Sequence, residues 1–142
     1  MKLINLIKEN AKKVKAAGIL CVSEDTKNFL VVKRAEGSPE PNTWCSAGGK
    51  VEESDKNWKD TALREFKEET GFKGNMKVKE VYIYNKPELE FHNFIGVVPK
   101  EFIPKLDKSE NTEYKWLSKK ELLELPDKHF GLQELLNNLF KK

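Results

Sequence analysis

Gly48-Gly49-Lys50-Val51-Glu52-Glu53, followed by Arg64-Glu65-Phe66-Lys67-Glu68-Glu69-Thr70-Gly71-Phe72, decides how this chain is read. From Ser54 to Thr70 there is no glycine or proline, serine or aspartate is available as N-cap, and the stretch stops at Gly71, which suits a left-handed C-cap. Trp58, Ala62 and Phe66 recur every four residues, so the spacing predicts a helix over 54–70. At about 100° per residue, Glu65, Glu68 and Glu69 fall within an arc of roughly 100° on its last turns. Three carboxylates there repel one another and meet the negative pole of the helix macrodipole, an arrangement eased by a bound cation. Hard divalent cations such as Mg²⁺ or Mn²⁺ take oxygen ligands, which matches a glutamate cluster without histidine or cysteine. On spacing alone, a solvated acidic helix end with Lys67 and Arg64 as local partners explains the pattern equally well.

Working outward, Ala16-Ala17-Gly18-Ile19-Leu20-Cys21-Val22 and Phe29-Leu30-Val31-Val32-Lys33-Arg34 flank a polar turn and read as a β-hairpin. Ser38-Pro39-Glu40-Pro41-Asn42 is a loop, and Thr43 to Ala47 a short strand ending at Gly48-Gly49. Met76 to Tyr84 and Leu89 to Val98 read as strands around an Asn85-Lys86-Pro87 turn, with a further strand over Glu113 to Leu117. Ser118 caps a helix through Leu125, and Gly131 to Phe140 forms a last amphipathic helix. Residues 1–13 read as an N-terminal amphipathic extension and 14–142 as one domain. Strands and helices mixed without regular βαβ alternation indicate an α+β or layered mixed-sheet fold.

Composition narrows the partners. The 142 residues include 38% hydrophobic and 35% charged residues and carry a net charge of +3. This is long enough for one well-buried core, and no apolar run reaches the length of a membrane span, so a soluble, cytoplasmic chain is expected. Only two residues are arginine, Arg34 and Arg64, against 24 lysines, and the 23 acidic residues are interleaved with the basic ones. Such a mixed surface argues against a nucleic-acid binder, while each rare arginine, with its planar fork, invites inspection. Cys21 and Cys45 match no metal-ligand spacing and read as buried, reduced thiols.

The whole string resembles the Nudix box: a glycine, five residues, a glutamate, seven residues, then Arg-Glu-apolar-x-Glu-Glu-x-Gly-apolar. Arg64 to Phe72 matches every fixed position of the second half. The first half carries one extra residue: five residues after Gly49 comes Asp55, and eight then separate Asp55 from Arg64. Glu52, Glu53 and Asp55 are therefore all candidates to pair with Arg64. The resemblance, looser outside the box, spans roughly Lys15 to Phe140. It implies an α/β/α sandwich with a mixed β-sheet between helices, and metal-dependent hydrolysis of a nucleoside diphosphate linked to another moiety. Carried over by motif, Glu65, Glu68, Glu69 and the carbonyl of Gly48 would hold Mg²⁺ or Mn²⁺, Glu65 or Glu68 would assist the attacking water, and Arg64, Gly49 and Gly71 would be structural.

The resemblance also points to Arg34, at the end of the second strand, and to Lys50 as phosphate contacts. Glu110, preferred to Glu113 in the loop before a Tyr- and Trp-containing strand, is where the resemblance implies a metal ligand or catalytic base, the base being either Glu110 or a box glutamate. An EF-hand reading of Asp107, Ser109 and Asn111 fails, because its glycine position holds Thr112 and its closing glutamate position Ser118. Phe91, Phe94, Trp44, Trp58 and Trp116 are read as core rather than as a stacking surface, and His129 borders the cleft in the same comparison. The expected partner is a nucleotide-type small molecule, with oligomeric state open. The competing readings are a non-catalytic nucleotide- or protein-binding module, against which the intact glutamates argue, and an RNA-end decapping enzyme, which needs a basic track that the charge pattern does not supply.

Overall fold

The structure is a computed structural model and describes residues 13–141. The N-terminal extension expected over 1–13 therefore lies, except for Lys13, outside the described residues.

Strand β1 (Val14–Ser23) is the organising element. Its run from Ala16 to Cys21 is buried throughout, the continuous apolar pattern of a strand covered on both faces. On one edge it pairs in parallel with β6 (Leu89–Val98) over its whole length, from Val14↔Leu89 to Ser23↔Val98. β5 (Lys77–Lys86) joins β6 by a hairpin whose turn is Pro87-Glu88, starting two residues later than the expected Asn85-Lys86-Pro87 because Asn85 and Lys86 still pair with β6.

The hairpin expected between β1 and β2 (Phe29–Arg34) exists but is short. The two strands pair only at Cys21↔Leu30 and Val22↔Phe29, then separate. β3 (Trp44–Cys45) and β4 (Ala47–Lys50) fill the opening, β3 pairing with β2 and β4 with β1. The glycine pair thus lies inside strand β4 instead of ending a strand. β7 (Asn111–Leu117) closes the sheet along β2. The result is a mixed seven-stranded sheet.

One face is covered by α1 (Trp58–Thr70), whose Ala62 and Phe66 pack on Ala17, Ile19 and Phe94. The helix starts four residues later than the 54–70 expected, because Asn57 is the N-cap and accepts from the Asp60 N–H at 2.8 Å. Asp55 is engaged elsewhere. Gly71, at φ 71°, ends the helix in the left-handed region and donates its N–H to the Lys67 carbonyl at 2.8 Å. The opposite face carries α2 (Lys119–Glu124), started by a Ser118–Glu121 capping box, and α3 (Phe130–Leu139). Leu122, Leu132, Leu135 and Leu136 from these helices pack with Leu20, Val31 and Trp44. Helices on both faces of a mixed sheet make the α+β, α/β/α arrangement. No described helix is long and apolar enough to cross a membrane.

Candidate active site

Where β1 and β2 separate, two connected depressions open on either side of the glycine pair. The larger, about 370 Å³, is polar; Glu65, Glu69, Glu110, Asn111, Lys50 and Arg34 line it. The smaller, about 140 Å³, is mostly apolar, with Tyr84, Leu89, Phe91 and Phe130 in its wall. Arg34, Gly48 and Gly49 belong to both.

Glu69 is the pivot of the polar cleft. It is 7% exposed. Its Oε2 accepts from the Gly48 N–H at 3.2 Å and its Oε1 from the Asn111 carboxamide at 2.9 Å. Burial pushes its carboxyl up to about 8; the Asn111 hydrogen bond opposes the shift, and the charges of Glu65 and Glu110 reinforce it. Glu110 is also raised, first by burial and then by Asp107, Glu65 and Glu68. Glu68 stands outside the cleft wall, its side chain 56% exposed. Glu113 points away and pairs with Lys33 at 3.4 Å.

Arg64 gathers the acidic side chains. Its Nε and Nη2 grip both oxygens of Asp55 at 3.0 and 2.9 Å, and Nη2 also donates to the Lys50 carbonyl at 2.9 Å. Its Nη1 reaches Glu65 at 2.9 Å and Glu68 and Glu52 at 3.2 Å each. Of the three candidates, Asp55 is therefore the bidentate partner, Glu52 a lateral one, and no ion pair joins Glu53 to Arg64. The Asp55 side chain is only 4% exposed, and the Arg64 guanidinium beside it holds its carboxyl well below the usual range. The extra residue of the box is absorbed in the 51–57 loop, where Asp55 also accepts from the Glu52 N–H and the Thr61 hydroxyl.

The glycines let these groups close in. A Cβ on Gly49 would overlap the Glu65 carboxyl, and one on Gly48 would stand 2.7 Å from the Ala17 carbonyl oxygen. Gly48 turns its N–H toward Glu69, away from β1. In extended backbone the carbonyl of the same residue faces the same side, which sets Gly48 O toward the glutamates.

The donor set suits a hard divalent cation: carboxylates and a backbone carbonyl, with Glu69 raised first by burial and further by the charges of Glu65 and Glu110. Among the described residues no three such side chains enclose an ion as they stand, since Glu65 and Glu68 are turned to Arg64.

Other expected residues are spread across the site. Arg34 lines both depressions and donates from Nε to the Pro39 carbonyl at 2.6 Å. His129 caps α3, accepting from the Gly131 N–H at 3.0 Å, and pairs with Glu40 at 3.0 Å. Burial lowers its pKa, with Glu40 opposing the shift and Arg34 adding to it. Phe94 and Trp44 are core, and Trp58 stacks on His92 at 3.7 Å, whereas Phe91 faces the slot. Cys21 and Cys45 are free and buried, their thiols pushed up to about 12 by burial. Sequence reasoning missed Asn111, Gly18 and Asn93. The available signal for Asn93 was an amide inside the strand run Phe91-His92-Asn93-Phe94-Ile95.

Comparison with known structures finds the same fold elsewhere. The MutT protein of Methanosarcina mazei Go1 superposes with a TM-score of 0.69 at 23% identity, over 90% of this chain and 93% of that one. An Ap4A hydrolase of C. elegans gives 0.67 at 19% identity, over 89% and 94%. The NUDIX domain of Shewanella oneidensis NrtR, solved with ADP ribose, gives 0.71 at 15% identity, over 96% and 97%. No curated protein matches the chain. The NUDIX domain model matches residues 12–139, and with nearly the whole chain inside that match, this protein belongs to the NUDIX domain family.

Proposed function

We propose that the protein hydrolyses a diphosphate linkage in a nucleoside diphosphate joined to another moiety, using Mg²⁺ or Mn²⁺. The observation that carries this reading is the acidic cleft joined to an apolar slot through Arg34 and the glycine pair. The first suits a cation-bridged diphosphate and the second an apolar ring. Glu65, Glu68, Glu69 and the Gly48 carbonyl would hold the cation, which when bound polarises phosphoryl oxygens and lowers the pKa of bound water.

The chain's own residues do the rest. Arg34 and Lys50 orient phosphate oxygens by charge-assisted hydrogen bonds. Asn111 and the Gly48 N–H hold Glu69 in place, and Asp55 fixes Arg64, which in turn positions Glu65 and Glu68. Water attacks phosphorus; Glu110 or a helix glutamate accepts its proton, and the P–O bond to the departing phosphate breaks. The products are a nucleoside monophosphate and a phosphorylated remainder, or pyrophosphate from a triphosphate.

The test incubates the purified protein with Mg²⁺ or Mn²⁺ and nucleoside triphosphates, ADP-ribose, dinucleoside polyphosphates, nucleotide sugars and capped RNA. Turnover of at least one small nucleotide is expected, with Glu68→Gln and Glu110→Gln each slowing it. No turnover on any substrate would replace this reading with a binding module.

A further inference from the structure

Arg34 is one of the two arginines of the chain and stands where cleft and slot meet. Its Nε donates to the Pro39 carbonyl at 2.6 Å, and among the described residues no carboxylate forms an ion pair with its guanidinium. A long side chain tethered to a loop carbonyl is aimed only as well as that carbonyl is held. The carbonyl belongs to the loop 35–43, which carries backbone strain. Glu40, between Pro39 and Pro41, is a non-glycine residue at φ 50°, in the left-handed region. Such a conformation costs free energy and persists where the surroundings enforce it.

His129 supplies that enforcement. Its Nε2 meets the Glu40 carboxylate at 3.0 Å, and its Nδ1, as the N-cap of α3, accepts from the Gly131 N–H at 3.0 Å. An imidazole nitrogen accepts only while it carries no proton, so these partners assign the proton to Nε2, directed at Glu40. The His129 backbone N–H is held as well, by the Trp44 carbonyl at 2.8 Å. With both ring nitrogens and the main chain committed, the ring has one orientation. The base of the loop is closed separately: the Arg34 N–H donates to the Thr43 carbonyl and the Asn42 N–H to the Arg34 carbonyl, each at 2.9 Å. Within the loop the Thr43 hydroxyl donates to the Glu40 carbonyl at 2.7 Å. The Glu40–His129 pair then ties the tip to another element, the start of α3.

We propose that Glu40 and His129 are positioning residues for Arg34: their pair sets the Pro39 carbonyl, and that carbonyl aims the guanidinium at a phosphate group in the cleft. The inference rests on the reading of Arg34 as a phosphate contact and adds two residues that act through it. With Nε taken by the carbonyl, the Nη groups keep their N–H bonds for a bidentate grip on phosphate oxygens. Release of the tip frees the guanidinium to turn toward Glu65, Glu69 and Glu110 in the same cleft, where it no longer serves a ligand.

Because the chain has two arginines, its arginine Nε–H signals in NMR are those of Arg34 and Arg64, and Arg64, held by Asp55, is the internal reference. Glu40→Ala should speed exchange of the Arg34 Nε–H with water about tenfold and leave Arg64 unchanged. His129→Asn, which keeps a capping side chain on α3, should do the same with little change in melting temperature. Glu40→Gln, whose amide oxygen still accepts from Nε2, should restore wild-type exchange. Affinity for methylenediphosphonate, measured calorimetrically in excess Mg²⁺, should fall about fivefold in Glu40→Ala and in His129→Asn. Arg34→Met should lose at least as much, and adding Glu40→Ala to it should cost nothing further. Unchanged Arg34 exchange in Glu40→Ala and His129→Asn would overturn the proposal, as would additive losses in the double variant. Equal changes at both arginines would also overturn it, reducing the pair to a general structural role. Methylenediphosphonate is not hydrolysed, so a protein that binds none of it yet shows the Arg34-specific change keeps the positioning role and loses the phosphate reading.

Discussion

Lowering the pH from about 8.5 to about 6 should weaken Mg²⁺ or Mn²⁺ binding about 75-fold, through Glu69. Burial, with the charges of Glu65 and Glu110, lifts this carboxyl from 4.5 to about 8, against the lowering effect of Asn111. A carboxyl ligates a cation after losing its proton, so the apparent dissociation constant is multiplied by one plus ten to the power of the pKa minus the pH. That factor is about 1.3 at pH 8.5, about 11 at pH 7 and about 100 at pH 6, a difference of about 2.6 kcal/mol across the range. Isothermal titration in two buffers of different ionisation enthalpy measures both consequences. Affinity should follow this curve, and close to one proton should leave per ion at pH 6, falling to about a quarter at pH 8.5. Glu69→Gln should bind weakly and without pH dependence. Affinity that varies less than about threefold, with no proton released, would refute the assignment of Glu69 as a titrating ligand.

The sign for stability follows from the same group. The folded carboxyl holds its proton more tightly than the unfolded one, so metal-free stability should fall as pH rises from about 4.5 to about 8, and Glu69→Gln should remove that slope in thermal melts. Asp55 behaves oppositely: its folded pKa is depressed by Arg64, so its contribution is present above the unfolded value near 3.8 and is lost as pH falls below it. Acid unfolding of Asp55→Asn should accordingly show a shallower pH dependence in that region. Gly49→Ala should cut turnover by at least about tenfold by displacing the Glu65 carboxyl, an effect read by steady-state kinetics. Gly71→Ala forces an L-residue to φ 71° with its Cβ 2.9 Å from that of Lys105. It should cost about 1–2 kcal/mol, or about 3–7 °C in melting temperature for a chain of this size.

What was legible in the sequence was what is contiguous. The helix carrying Glu65, Glu68 and Glu69 is specified by its own apolar spacing and its glycine stop, so it was found to within a turn. Its start was misplaced because Asp55 looks like an N-cap until Arg64, nine residues on, is seen to claim it. The glycine pair was read as the end of a strand because glycine weakens strands; inside β4 it is required by Ala17 on one side and Glu65 on the other. Gly18, Asn93 and Phe130 could not be associated by periodicity at all. They meet through the β1–β6 ladder, whose paired positions lie 75 residues apart, and through the docking of α3, neither of which leaves a local mark.

Gly18, Gly48 and Gly49 have a consequence for how the site can change. Gly18 and Gly48 are pressed by backbone atoms at distances that leave no room for a methyl group, whereas a methyl group on Gly49 would have to displace the Glu65 carboxyl. At Gly48 the floor shared by cleft and slot is thus closed to substitution, and at Gly49 a substitution acts on the Glu65 carboxyl. New specificity comes more readily from the walls, where Tyr84, Leu89, Asn93 and Phe130 line the slot on elements other than the helix that carries Glu65 and Glu69. For engineering, this separates a fixed bed for chemistry from an adjustable rim for choice of ligand, and a library restricted to those four positions samples the second while sparing the first.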